Sequence, residues 1–154
     1  MIQITDRIWI GNSKDEQLLQ FDNHPNIAIL NVAQDVQGTK GWKNKIEYMQ
    51  VGLIDGPGNE PVGYYTAVLA LATLLKRSKV IVCCHSGSRS LAVVIMYRDV
   101  VAGHGWPGDW RPTWDGWYVR LCAETGVTLP VPHPAHRDAY DKLDWKLVSA
   151  ILRE

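Results

Sequence analysis

A cysteine, a glycine and an arginine follow an apolar run near the middle of the chain. The run covers residues 79–83, and the cysteine, the glycine and the arginine are Cys84, Gly87 and Arg89. Because a short β-branched run is typical of a buried strand, we expect a strand that ends at the cysteine. A thiolate is a strong nucleophile, and a guanidinium can bind two oxygens of a tetrahedral anion. These residue types in one loop suit nucleophilic attack on phosphorus or sulfur.

We call residues 84–89 the cysteine–arginine loop and expect its backbone to bind an anion. In a strand–loop–helix arrangement the loop N–H groups converge, and the helix N-terminus adds positive potential that also favours a thiolate. Gly87 lets the anion approach without a Cβ clash. Ser90 is the expected N-cap of the next helix. The residues predicted to contact the anion are His85, Ser86, Gly87, Ser88 and Arg89.

The segment Val-Ile-Val-Cys-Cys-His-Ser-Gly-Ser-Arg-Ser, residues 80–90, resembles the signature of the cysteine-dependent protein phosphatases, particularly the compact dual-specificity group. That signature has an apolar strand, His, Cys, five residues, Arg, and then Ser or Thr. Four residues separate Cys84 from Arg89, whereas five separate Cys83 from Arg89. We favour Cys84 as the nucleophile because it keeps Gly87 three positions on, as in the family. The register with Cys83 as nucleophile stays open.

A second segment, residues 52–61, contains three glycines and two prolines and is therefore expected to be a loop after a strand. In an open α/β sheet, ligands bind at the carboxyl ends of the strands. The resemblance implies that Asp55 is the general acid that protonates the leaving oxygen, with Glu60 as the fallback. An ordinary turn aspartate is the other interpretation, since Asp-Gly is a common turn pair.

The resemblance implies a protein phosphatase that acts on phosphotyrosine, and also on phosphoserine or phosphothreonine, through a phosphocysteine. Cys84 would attack phosphorus, Arg89 would hold the oxygens, and Ser90 would stabilise the departing thiolate. The expected partner is a phosphorylated protein or a small aryl phosphate, and the resemblance implies neither a metal nor a cofactor. His133 and His136 lack the additional carboxylate or cysteine pair that a zinc site would need.

Three other interpretations remain open. Rhodanese-like sulfurtransferases use a four-residue spacing, so Cys84 could carry a persulfide in a loop sized for sulfur. A phosphopeptide-binding pseudophosphatase would bind phosphate in the shortened loop without turnover. Two buried cysteines followed by a plain turn would have no catalytic role.

Composition limits the class of protein. The 154 residues suit a single domain over residues 1–154. Sixteen basic and 16 acidic residues cancel, so no nucleic-acid or membrane surface is expected. Three cysteines do not form a disulfide framework, and neither a secretory signal nor a membrane-spanning run is apparent. We therefore expect a cytoplasmic protein.

The expected fold class is α/β, with a central, mostly parallel sheet of four or five strands and helices on both faces. An edge hairpin over residues 2–11, whose Ile-Thr-Asp-Arg-Ile-Trp-Ile-Gly part resembles the start of small dual-specificity phosphatases, precedes a short helix with Leu18 and Leu19. Strands are predicted over 27–32 and 46–51, and helices over 62–77, 115–125 and 135–153. Four tryptophans either wall the cleft or cover the core. They are Trp106, Trp110, Trp114 and Trp117.

Overall fold

The protein is seen here in a computed structural model that describes residues 1–12, 27–36, 47–102 and 112–153. Five strands and five helices lie within these residues. The strands are β1 (Ile2–Gln3), β2 (Ile8–Asn12), β3 (Ile27–Ala33), β4 (Glu47–Leu53) and β5 (Lys79–Cys84). The helices are α1 (Pro61–Leu75), α2 (Ser88–Ala102), α3 (Trp114–Thr125), α4 (Pro134–Lys142) and α5 (Lys146–Arg153).

The strands form one sheet in the order β1-β2-β5-β3-β4. Only β1 is antiparallel to its neighbour among these strands, so the predicted edge hairpin and mostly parallel sheet are confirmed. Since parallel strands end at the same edge, β3, β4 and β5 deliver their following residues to one place. Asp35 and Asp55 each stand two residues beyond a strand, and Cys84 ends the central strand β5. The topology thus assembles the site.

The two faces of β5 pack into different apolar clusters, because side chains alternate along a strand. Val80, Val82 and Cys84 belong to a large cluster to which all the described helices contribute. Ile81 and Cys83 belong to a small cluster on the other face. The partly buried side chains that complete the small cluster are Met1, Trp9 and Tyr48. The adjacent cysteines therefore point to opposite faces of the sheet.

The prediction of one closing helix over residues 135–153 is wrong, because α4 and α5 are separate. Leu143 is extended, with φ −88° and ψ 152°, and ends α4. The Asp144 carboxylate accepts a hydrogen bond from the N–H of Lys146 at 3.1 Å, which favours the start of a new helix. Trp145 is buried between the two helices, so the break lets the chain fold its last turns onto the core.

Of the predicted tryptophan cluster, Trp117 belongs to the core and Trp114 is half-buried against it. Trp117 is buried and donates from Nε1 to Asp99 at 2.8 Å, while Trp114 packs on Tyr140. Trp106 and Trp110 lie outside the described residues, as does the short helix predicted around residues 18–19. No helix in the described ranges is long and apolar enough to cross a membrane.

Candidate active site

Cys84 lies at the base of the cysteine–arginine loop with its sulfur facing backbone N–H groups. Its Sγ accepts hydrogen bonds from the N–H of Gly87 at 3.0 Å and of Ser90 at 3.5 Å. The side chain of Cys84 is 0 % exposed. By contrast, the Sγ of Cys83 lies on the other face, 3.9 Å from the carbonyl oxygen of Ile81. Of the two candidate nucleophiles, only Cys84 therefore contacts the loop.

Helix α2 begins earlier than the sequence predicts. Its first residue is Ser88, and the N–H of Leu91 donates to the carbonyl of Gly87 at 2.9 Å, so Ser90 lies inside the first turn instead of capping it. Because only four residues separate Cys84 from Arg89, the loop is short, and Arg89 and Ser90 belong to the first turn of α2. The hydroxyl of Ser90 is buried and has no hydrogen-bond partner in the described part of the chain. The expected hydroxyl bond to Cys84 is therefore not formed; the backbone N–H takes that place.

Gly87 occupies a position that no other residue fits easily. Its φ is 93°, a left-handed conformation that favours glycine, and a Cβ built on it would lie 2.7 Å from Cγ of Pro130. Pro130 belongs to the segment between α3 and α4. This segment also contacts the loop through the N–H of His133, which donates to Ser88 Oγ at 2.9 Å. The C-terminal third of the chain therefore covers the cysteine–arginine loop.

The close approach of Pro130 predicts a large effect for Gly87→Ala. We expect a loss of about 2–4 kcal/mol in the free energy of unfolding, because backbone strain and the clash with the proline ring add. Gly126→Ala is the matched control: its φ is 73°, but no atom of the described residues lies within 4 Å of the added Cβ. It should cost about 1 kcal/mol. Urea unfolding of both variants measures the difference, and equal losses would contradict a contribution from Pro130.

The guanidinium of Arg89 is buried and is held through its Nη1. It is 3 % exposed, and its Nη1 donates to Asp35 Oδ1 at 2.6 Å and to the carbonyl of Leu53 at 2.9 Å. Its Nε is buried and has no hydrogen-bond partner within the described ranges. Arg89 Nε and Ser90 Oγ are the buried side-chain polar atoms left unpaired among the described residues. Because such atoms are costly, two of them beside one cysteine indicate a binding site for an oxygen-rich anion.

Asp35 is a site residue that the sequence analysis missed, since it falls in a polar segment after β3. The hydrogen bond from Arg89 holds the pKa of Asp35 below its usual value. Asn31 supports this turn: its Nδ2 donates to the carbonyl of Val36 at 2.8 Å, and its Oδ1 accepts from the N–H of Ala33 at 3.0 Å. The position of Asp35 just after a strand, like that of Asp55, is the sequence feature that could have identified it as a site residue.

Asp55 contacts the cysteine–arginine loop directly. Its Oδ1 accepts hydrogen bonds from Ser88 Oγ at 2.8 Å and from His136 Nε2 at 3.1 Å. Asn59 closes the loop around Asp55 by accepting from the N–H of Ile54 at 2.8 Å and donating to its carbonyl at 2.7 Å. Glu60, the fallback acid, is the residue just before α1.

Two buried residues, Tyr64 and His136, lie behind Asp55. Tyr64 on α1 is deeply buried, and its hydroxyl lies 2.8 Å from His136 Nδ1. His136 bridges Tyr64 and Asp55. Its neighbour His133 caps α4, accepting from the N–H of Ala135 at 3.0 Å.

The environment favours a carboxylate at Asp55 and a neutral ring at His136. Burial raises the pKa of Asp55, but the hydrogen bonds from Ser88 and His136, with the charges of His136 and Arg89, outweigh it and lower the pKa overall. Burial lowers the pKa of His136 despite the opposing effect of Asp55. His85 and Ser86 are exposed at the start of the loop, where they can meet a ligand.

No protein-family model and no curated protein matches the sequence. Solved structures match over nearly the whole chain. DUSP15 has a TM-score of 0.66 at 19% identity, covering 99% of this chain and 92% of that one. The chain has the fold of the dual-specificity phosphatases. Human DUSP28 matches with a TM-score of 0.64 at 13% identity, covering 98% and 99%.

PTPMT1, in complex with PI(5)P, also has this fold, with a TM-score of 0.62 at 14% identity, covering 99% of this chain and 97% of that one. These matches extend through the C-terminal third of the chain. The phosphatase-like fold expected from residues 80–90 is therefore confirmed.

Proposed function

We propose that the protein is a cysteine-dependent protein phosphatase that hydrolyses phosphotyrosine and also phosphoserine or phosphothreonine. The main support is the pair of unpaired buried polar atoms, Arg89 Nε and Ser90 Oγ, beside Cys84 in a chain with this fold. A bound phosphate would supply acceptor oxygens for both donors. A reduced thiol is required, which suits the cytoplasm.

In the first step the thiolate of Cys84 attacks phosphorus. The S–P bond forms as the bond from phosphorus to the ester oxygen breaks, and Asp55 gives its proton to that oxygen. Arg89 and the N–H groups of the cysteine–arginine loop hold the other phosphate oxygens while charge develops. The products are a phosphocysteine and the free alcohol or phenol.

In the second step water hydrolyses the phosphocysteine. Asp55, now a carboxylate, takes a proton from the attacking water as the P–O bond forms and the S–P bond breaks. The electron pair of the S–P bond returns to Cys84 as a thiolate, which the backbone N–H groups of Gly87 and Ser90 stabilise. Inorganic phosphate leaves, and no step requires a metal or a cofactor.

The direct test is hydrolysis of p-nitrophenyl phosphate and of a phosphotyrosine peptide by the wild-type protein in the presence of a metal chelator. We expect turnover, with a phosphocysteine trapped by acid quench. If phosphate is not released but sulfur passes from thiosulfate to cyanide, the sulfurtransferase interpretation is correct. If the phosphopeptide binds without turnover, the protein is a pseudophosphatase. Peptides with phosphoserine and phosphothreonine measure the breadth of specificity.

A further inference from the structure

A line of hydrogen bonds runs from Asn59 through helices α1 and α4 to Asp55. Asn59 Nδ2 donates to Tyr64 Oη at 3.1 Å, Tyr64 Oη lies 2.8 Å from His136 Nδ1, and His136 Nε2 lies 3.1 Å from Asp55 Oδ1. Tyr64 and His136 are 1 % and 0 % exposed. This connection joins residues 81 positions apart in the chain at one carboxylate oxygen.

The direction of these bonds follows from Asn59. Its amide is oriented by Ile54, whose N–H donates to Oδ1 and whose carbonyl accepts from Nδ2. Because Nδ2 can only donate, Tyr64 Oη accepts from it and gives its own proton to His136 Nδ1. The neutral ring then carries its proton on Nε2 and donates to Asp55. The backbone of Ile54, in the loop that carries Asp55, thereby determines the tautomer of His136 through Asn59 and Tyr64.

Both hydrogen bonds to Asp55, from Ser88 and from His136, end on Oδ1. An oxygen that accepts two N–H or O–H bonds is a poor place for an additional proton. We infer that His136 is a positioning residue that keeps Asp55 Oδ1 as the acceptor and leaves Oδ2 to carry the proton for the leaving group. This inference rests on the proposed function, in which Asp55 is the general acid.

The arrangement serves both protonation states of Asp55. In the acid form, Oδ1 is the carbonyl oxygen and still accepts both bonds, so the side chain need not turn when the proton leaves Oδ2. The other groups that face this pair are Arg89 from α2 and His133 from the start of α4, and both act on the charge of His136. The bond from His136 also helps to lower the pKa of Asp55.

The test compares two substrates in which protonation of the leaving oxygen matters differently. Phenyl phosphate needs a general acid, whereas 2,4-dinitrophenyl phosphate releases a weakly basic phenolate and does not. His136→Ala should lower kcat/KM for phenyl phosphate about thirtyfold but change that for the dinitrophenyl ester less than about threefold. Equal losses on both esters, or no loss, would overturn the inference.

Three further variants separate positioning from folding. His136→Gln keeps a donor near Nε2, so it should restore phenyl phosphate hydrolysis to within about threefold of wild type. Tyr64→Phe removes the hydroxyl with little change in packing and should show the same substrate-dependent loss, but smaller. Tyr65→Phe is the matched control; its hydroxyl accepts from the N–H of Asp144 at 3.0 Å, away from Asp55, and neither substrate should respond.

The pH profile supplies an independent readout. Because the His136 bond favours the carboxylate, its loss should raise the pKa of Asp55 and move the high-pH limb of kcat/KM for phenyl phosphate upward in His136→Ala. An unchanged limb would contradict the assigned role. Failure of the proposed function is distinguishable, since the wild-type protein would then hydrolyse neither ester. In that case NMR titration still tests the contact: Asp55→Asn should lower the pKa of His136.

Discussion

Cys84→Ser is expected to abolish hydrolysis of aryl phosphates, with a loss of at least about 10⁴-fold in kcat/KM. Within the described residues, a serine hydroxyl at this position has no base among its hydrogen-bond partners, since the sulfur it replaces accepts there from the backbone N–H groups of Gly87 and Ser90. A cysteine thiolate, by contrast, is itself a strong nucleophile and needs no base for the attack. Initial rates with p-nitrophenyl phosphate measure the loss.

Cys83→Ser is the matched control for this prediction. Cys83 is equally buried but packs with Ile81 on the other face of the sheet, so activity should stay within about threefold of wild type at low temperature. A small loss of thermal stability is expected, because a hydroxyl enters an apolar cluster. If Cys83→Ser loses activity and Cys84→Ser keeps it, the five-residue register is the correct one and the assignment of Cys84 is wrong.

Arg89→Lys is expected to lower kcat/KM about 10³-fold while the protein stays folded. A lysine ammonium keeps the charge but lacks the planar fork, so it cannot bind phosphate through one edge while contacting Asp35 and Leu53 through another. Both the affinity for phosphate and the stabilisation of the transition state should fall. Arg120→Lys, an exposed exchange of the same chemistry on α3, is the control and should have no effect.

Asp35→Asn separates the two contributions of Arg89. The guanidinium and its contact with Leu53 remain, but its charged partner is lost, so we expect a smaller decrease of about tenfold, mainly in KM for the phosphate ester. Asp138→Asn, an exposed change of the same type, controls for net charge.

If Arg89→Lys stays within threefold of wild type, the guanidinium does not stabilise the transition state and the proposed mechanism fails.

Local patterns were enough for the elements that hold the candidate site. The β-branched run before Cys84, the small residues after it and the apolar helix that follows all depend on neighbouring residues, so strand β5, the loop and α2 could be predicted. The same holds for the loop of Asp55, where glycine and proline exclude regular structure. Boundaries were less certain: α2 begins at Ser88, and the last predicted helix is broken near Leu143.

The sequence by itself determined the α/β class, the position of the cysteine–arginine loop and the resemblance to the phosphatases. Only the tertiary structure decided that Cys84 rather than Cys83 contacts the loop, because the face of a strand depends on the packing of the whole sheet. It also brought Asp35 to Arg89, Pro130 to Gly87, and His136 to both Tyr64 and Asp55. These contacts join residues that are between 43 and 81 positions apart. Such contacts arise only when parallel strands and their helices pack, and no periodicity in a linear chain records them.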